Sequence, residues 1–200
     1  MARDHRDVGA FDARADGYED GWLGRLHGQI ADRTADLALT AAPAPGRILD
    51  VGCGTGYLLR RLAARCQEAV ELTGVDPAPA MITAARAAAA DERLRWMAGT
   101  AERLPLPAGS FDLVVSTTSF DHWEDQRAGL AECARVLVPG GRLVLTDLFS
   151  AWLLPTLIGS RRGKARTPRR AGRLLAAAGF LDAEWHGVEA VVIRAVTARR

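Results

Sequence analysis

The stretch Leu49-Asp50-Val51-Gly52-Cys53-Gly54-Thr55-Gly56 constrains this chain more than any other. Arg47-Ile48-Leu49-Asp50-Val51 is short and apolar enough for a central parallel strand, and Tyr57-Leu58-Leu59-Arg60-Arg61-Leu62-Ala63 resumes at helical spacing. Between them three glycines at alternate positions supply the turn. Glycine admits positive φ and carries no β-carbon that would hold a ligand off the main chain. The turn lies at the carboxyl end of its strand, where open α/β sheets bind their ligands.

A second acid, Asp76, closes the next apolar run, Val70 to Val75, where a carboxylate accepts from both hydroxyls of a ribose. The dinucleotide fingerprint G-x-G-x-x-G requires glycine at position 57, which is Tyr57, so a nicotinamide cofactor and a reductase are disfavoured. Asp50, immediately before the turn, repels a pyrophosphate and attracts a cation. A positively charged nucleoside without phosphates fits this pair of acids.

Downstream the pattern alternates. A helix from Pro77 to Ala90, a strand Leu94 to Ala98, a strand Phe111 to Ser116, a helix through Leu130, Cys133, Ala134 and Leu137, and a strand Arg142 to Leu148 follow in order. Strands alternating with helices predict an α/β fold, a doubly wound, mostly parallel sheet with helices on both faces. A helix from Pro168 to Ala178 and strands near Ala183 to His186 and Val191 to Val196 complete the chain. Ahead of the sheet, residues 1 to 20 read as a mobile arm. Trp22, Leu26, Ile30 and Leu37 then mark one face of a helix from Gly21 to Thr40. The expected organisation is an arm and cover helix over residues 1–42 and one globular unit over 43–200.

These motifs resemble the class I S-adenosylmethionine-dependent methyltransferases, in the type 11, ubiquinone- and menaquinone-methyltransferase-like small-molecule branch. The resemblance rests on Ile48 to Gly56, on Gly74-Val75-Asp76-Pro77 with Met81, and on Gly99-Thr100-Ala101-Glu102-Arg103-Leu104-Pro105. It continues through Gly109 to Ser116 and Glu132 to Gly141, and so covers about residues 45 to 148. It implies a Rossmann-like, seven-stranded sheet closed by a hairpin, an N-terminal helical cover, and S-adenosylmethionine as cofactor.

By the same resemblance, Asp50, Gly52, Cys53, Gly54, Gly56, Asp76, Pro77, Met81, Thr100, Ala101 and Ser116 are the expected cofactor-binding residues. Asp50 either accepts from the cofactor's ammonium group or caps the following helix. Met81 either packs in the core or lies on the adenine. Thr100 replaces the family's usual Asp, which forfeits a charge-assisted hydrogen bond to the adenine amine.

Methyl transfer from a sulfonium is an in-line displacement, which asks the protein to exclude water and align the acceptor, and no metal is expected. His122, in the loop Ser116 to Trp123, is the candidate base, because an unperturbed imidazole titrates near neutral pH. Tyr18, His27, Trp123 and Trp152 are the candidate acceptor-binding residues. The segment Ala151 to Ile158, followed by Arg161, Arg162, Lys164, Arg166, Arg169, Arg170 and Arg173, is apolar and then basic. It reads either as a cover for an amphiphilic acceptor with peripheral membrane contact, or as an Arg-rich crossover.

A net charge of +2 lacks the footprint of a polyanion-binding protein, so nucleic acid is an unlikely partner. The alternatives carried forward are an RNA or protein methyltransferase and a catalytically silent S-adenosylmethionine-binding module. Three cysteines without C-x-x-C spacing, and no apolar run of spanning length, place the chain in the cytoplasm as an expectation. Neither acceptor identity nor oligomeric state is legible in the sequence.

Overall fold

The computed structural model describes residues 8–15, 17–150, 164, 166–189 and 192–200. Seven strands form one sheet: Arg47–Val51 (β1), Glu71–Asp76 (β2), Leu94–Ala98 (β3), Phe111–Thr117 (β4), Leu137–Leu148 (β5), Leu181–Glu189 (β6) and Ile193–Arg199 (β7). Their order is β3-β2-β1-β4-β5-β7-β6. The first five are mutually parallel, and β7 runs antiparallel to both β5 and β6. The chain builds outward from β1 to β3 and then crosses back to β4, so the strand order reverses between β1 and β4. A doubly wound sheet opens its ligand crevice at such a reversal.

The helices are Val8–Asp12 (α1), Gly21–Ala41 (α2), Tyr57–Arg65 (α3), Pro79–Ala88 (α4), Gln126–Val136 (α5) and Pro168–Ala177 (α6). Side chains of the central strands alternate between two cores. Ile48, Leu72, Leu113 and Val144 pack against Ala35 and Ala38 of α2 and Leu59 and Leu62 of α3. Leu49, Val51, Val114 and Leu145 pack on the opposite face, against Leu130 and Cys133 of α5 and Leu175 of α6. Ile48 and Leu49 are both fully buried, and each such side chain contributes about 1.5–3 kcal/mol. The alternation puts Asp50 on the face of Ile48, beneath α2, and Asp147 on the face of Leu145, towards α5.

Three sequence expectations change. The buried face of α2 is Gly24, Gly28, Ile30, Ala31, Thr34, Ala35 and Ala38, and Trp22 is 66% exposed. Small residues at alternating spacings of three and four let the helix lie close on α3 and the sheet, which a hydrophobicity count overlooks. A β-carbon at Gly28 would already stand 3.3 Å from the Tyr57 hydroxyl. Within residues 1–20, Val8–Asp12 is helical, and Asp12 Oδ1 accepts from the Ala80 N–H at 2.9 Å, tying it to α4. Finally, β5 begins at Leu137, ahead of Pro139-Gly140-Gly141, and its pairing slips between Phe111↔Leu137 and Leu113↔Arg142.

Trp152 and the rest of residues 151–163 lie outside the described residues. Among the described residues, no helix is long and apolar enough to cross a membrane.

Candidate active site

The glycine turn leaves β1 under tight restraint. The Gly52 and Cys53 N–H groups both donate to the Val75 carbonyl, at 2.8 and 3.2 Å, which fastens the turn to β2. Gly52, Gly54 and Gly56 have φ of +75°, +52° and +79°, a region that disfavours side chains. Their surroundings differ. A β-carbon on Gly56 would stand 2.2 Å from the Trp96 ring, and one on Gly52 would stand 1.8 Å from Ser119 Oγ. One on Gly54 would meet nothing within 4 Å. Of the three, Gly54 alone turns bare backbone towards open space, and Gly56 is a packing glycine that lines no part of the cleft.

Asp76 closes the far side of that space. It is 8% exposed at the end of β2, and its Oδ2 and Oδ1 accept from the Gly54 and Ala78 N–H groups, each at 2.9 Å. Two main-chain donors fix the carboxylate, an acceptor-only group with two oxygens. A cavity of about 650 Å³ runs from Gly52, Gly54 and Asp76 past Pro77, Met81 and Ala101 to Trp123.

A second cavity of about 530 Å³ adjoins it across Gly52, Gly54, Thr117, Thr118 and Tyr18, and contains Asp50 and Cys53. Asp50 is 2% exposed and its Oδ1 has no hydrogen-bond partner. Burial first, then the nearby Asp76, pushes its carboxyl up to about 8. Capping does not account for it, because Gly56 occupies the N-terminal cap of α3. A buried polar atom without a partner is costly, and a cationic ligand would relieve it.

Besides Gly56, two further expected cofactor residues lie elsewhere. Ser116 is fully buried and its hydroxyl donates to the Val51 carbonyl at 2.7 Å, so it joins β4 to β1. Thr100 bridges to Arg103, leaving Gly99 and Ala101 on the cavity wall. Thr117, Thr118 and Ser119, which lie in the segment Ser116 to Trp123 but are not among its named candidates, do line the cleft. Their place at the end of β4 and just past it, beside the strand-order reversal, is the available signal. Thr118 has φ +50°, strain of the kind that gathers at binding sites.

The N-terminal segment roofs both cavities. Glu19 Oε1 accepts from Thr55 Oγ1 at 2.6 Å and from the Arg60 guanidinium at 2.7 Å. Tyr18 stacks on His27 with centroids 5.4 Å apart, and Phe11 meets the His122 ring edge-on at 5.0 Å. Beyond this roof opens a third space of about 1070 Å³, in which Tyr18, His27 and His122 share walls with Leu26, Ile30, Leu148 and Asp147. Burial raises the Tyr18 phenol, with Arg14 opposing, and lowers the His27 imidazole. Trp123, expected at the acceptor, lines the Asp76 cavity instead, with its Nε1 donating to Ser119 Oγ at 3.1 Å.

Residues 49–145 match the methyltransferase domain family. The demethylmenaquinone methyltransferase of Deinococcus radiodurans is 44% identical over 117 residues, which cover 58% of this chain and 48% of that protein. The malonyl-[acyl-carrier protein] O-methyltransferase of Hahella chejuensis is 39% identical over 117 residues, 58% of this chain and 42% of its own. The chain therefore spans about half the length of these curated relatives or less. A solved S-adenosylmethionine-dependent methyltransferase from Aquifex aeolicus superposes with a TM-score of 0.76 at 18% identity, covering 94% of this chain and 97% of that one.

Proposed function

We propose, from the match of residues 49–145 to the methyltransferase domain family and from the site geometry, that this chain catalyses methyl transfer from S-adenosylmethionine to a small, apolar molecule. The observation that carries the reading is the pair of buried acids flanking Gly54: Asp50 with an unpartnered oxygen, and Asp76 held by two main-chain donors. The residues suit this cofactor. Asp50 would hold its ammonium group, Asp76 its ribose hydroxyls, and Met81 and Ala101 its adenine, with Gly54 admitting it against the main chain. When bound, the cofactor supplies an electrophilic methyl group on a sulfonium.

The protein's own work is then positional and electrostatic. Phe11 and Tyr18 roof the cleft and exclude water, and the larger space beyond them receives the acceptor. Its wall of Leu26, Ile30 and Leu148 favours an apolar body. The relatives above are named for demethylmenaquinone and for malonyl-[acyl-carrier protein], and neither name points to a nucleic acid. Titration calorimetry tests the cofactor: micromolar binding of S-adenosylmethionine by the wild type, and at least ~100-fold weaker binding by Asp76→Ala, are expected from the loss of both ribose hydrogen bonds. Equal affinities would refute the assignment.

A further inference from the structure

We propose that His122, positioned by the buried Asp147, accepts the proton of an acceptor hydroxyl, so that this protein methylates an apolar phenol or enol at oxygen. The inference rests on the methyltransferase reading and goes beyond it in naming the acceptor group and the base.

Among the described residues, four line both the Asp76 cavity and the larger acceptor space: Phe11, Tyr18, Thr118 and His122. A methyl group passing between the two spaces passes them. Phe11 has no base, Thr118 carries only a hydroxyl, and burial moves Tyr18 further from ionisation. His122 is left, on the short turn Phe120–His122, with Phe11 set edge-on against its ring.

Asp147, 5% exposed at the end of β5, lines the same acceptor space and is fixed by two main-chain donors. Its Oδ2 accepts from the Asp121 N–H at 3.1 Å, and its Oδ1 from the Leu148 N–H at 2.6 Å. The first of these bonds joins it to the turn that carries His122. Burial pushes the Asp147 carboxyl up to about 6, against the Leu148 N–H and then the positive charge of His122, both of which lower it. A positive charge on His122 therefore favours the charged form of Asp147.

The other ionisable groups facing this space sharpen the choice. Arg166 pairs with Asp121, beside the turn. Arg14 and Tyr18 come from the N-terminal segment and His27 from α2. A proton gained at His27 would meet Arg14, which already lowers that imidazole. One gained at His122 would meet Asp147. The surrounding wall of Leu23, Leu26, Ile30, Leu148 and Ile193 selects an apolar acceptor body. In the transfer, the hydroxyl proton goes to the His122 imidazole and the oxygen pair that held it forms the new O–C bond. The electron pair of the broken C–S bond leaves with the sulfur.

The test is kinetic and uses the intact protein. On a panel of phenols, enols and amines, the wild type should methylate hydroxyls. His122→Gln should lose ~100-fold or more in kcat with acceptor KM and cofactor affinity unchanged, and it alters a partly exposed turn and not the core. Asp147→Asn, which keeps the side-chain shape and removes the charge, should lose ~10-fold in kcat with the same KM and cofactor affinity. Undiminished turnover by either variant, absence of hydroxyl methylation, or loss of rate in His27→Gln in its place each overturns the proposal. Failure of the wild type to bind S-adenosylmethionine overturns the parent reading instead.

Discussion

Asp50→Asn should stabilise the unliganded protein near neutral pH while weakening its hold on the cofactor. In the fold, burial and Asp76 raise this carboxyl from 3.8 to about 8. Over that interval the folded protein keeps a proton that the unfolded chain releases, so stability falls as pH rises. Each pH unit removes about 1.4 kcal/mol, and at pH 7, roughly three units above the unfolded value, the cost is on the order of 4 kcal/mol. Asparagine has nearly the same shape and does not titrate, so the variant escapes this term. Urea denaturation at pH 4, 5, 6 and 7 measures it. The two proteins should be nearly equal at pH 4, and the variant should gain steadily above that, reaching several kcal/mol at pH 7. S-adenosylmethionine should bind the variant ~10–100-fold more weakly, because the charge-assisted hydrogen bond to its ammonium is gone. A stability difference that does not change with pH, or a variant less stable than wild type at pH 7, would refute the reasoning.

Gly54→Ala should cost only about 1–2 kcal/mol of stability, from its positive φ, yet weaken cofactor binding. Gly56→Ala should instead unfold much of the protein, since its new methyl meets Trp96 at 2.2 Å; thermal melts and calorimetry separate the two. Glu19→Gln removes the charge that fastens the roof to Thr55 and Arg60, so stopped-flow should show cofactor release accelerated several-fold. Phe111→Ala, at a side chain 2% exposed, should cost about 3–5 kcal/mol in chemical denaturation.

Features governed by neighbours in the chain were legible in the sequence. The strand before Gly52, the helix from Tyr57, the acid at the end of β2 and the alternation that predicts a parallel sheet all follow from local spacing. So does the end of α6, where Gly179 takes φ +87° just past the helix. The buried face of α2 differs from the apolar periodicity because its packing depends on how closely the helix lies on α3 and the sheet. Ser116 and Gly56 lie in matching motifs but spend their chemistry on Val51 and Trp96, residues brought near only by the fold.

The amino-acid sequence alone determined the fold class, the place of the cleft and the two acids that flank it, because strand periodicity and turn chemistry act over a few residues. The tertiary structure decided that Asp50 is buried without a partner for Oδ1, that Gly54 alone of the three glycines faces open space, and that Asp147 holds the turn that carries His122. Those facts depend on which elements cover each strand end. Asp50 lies beneath α2, and Asp147 reaches the turn after β4 from β5, contacts between segments far apart in the chain that no local pattern encodes.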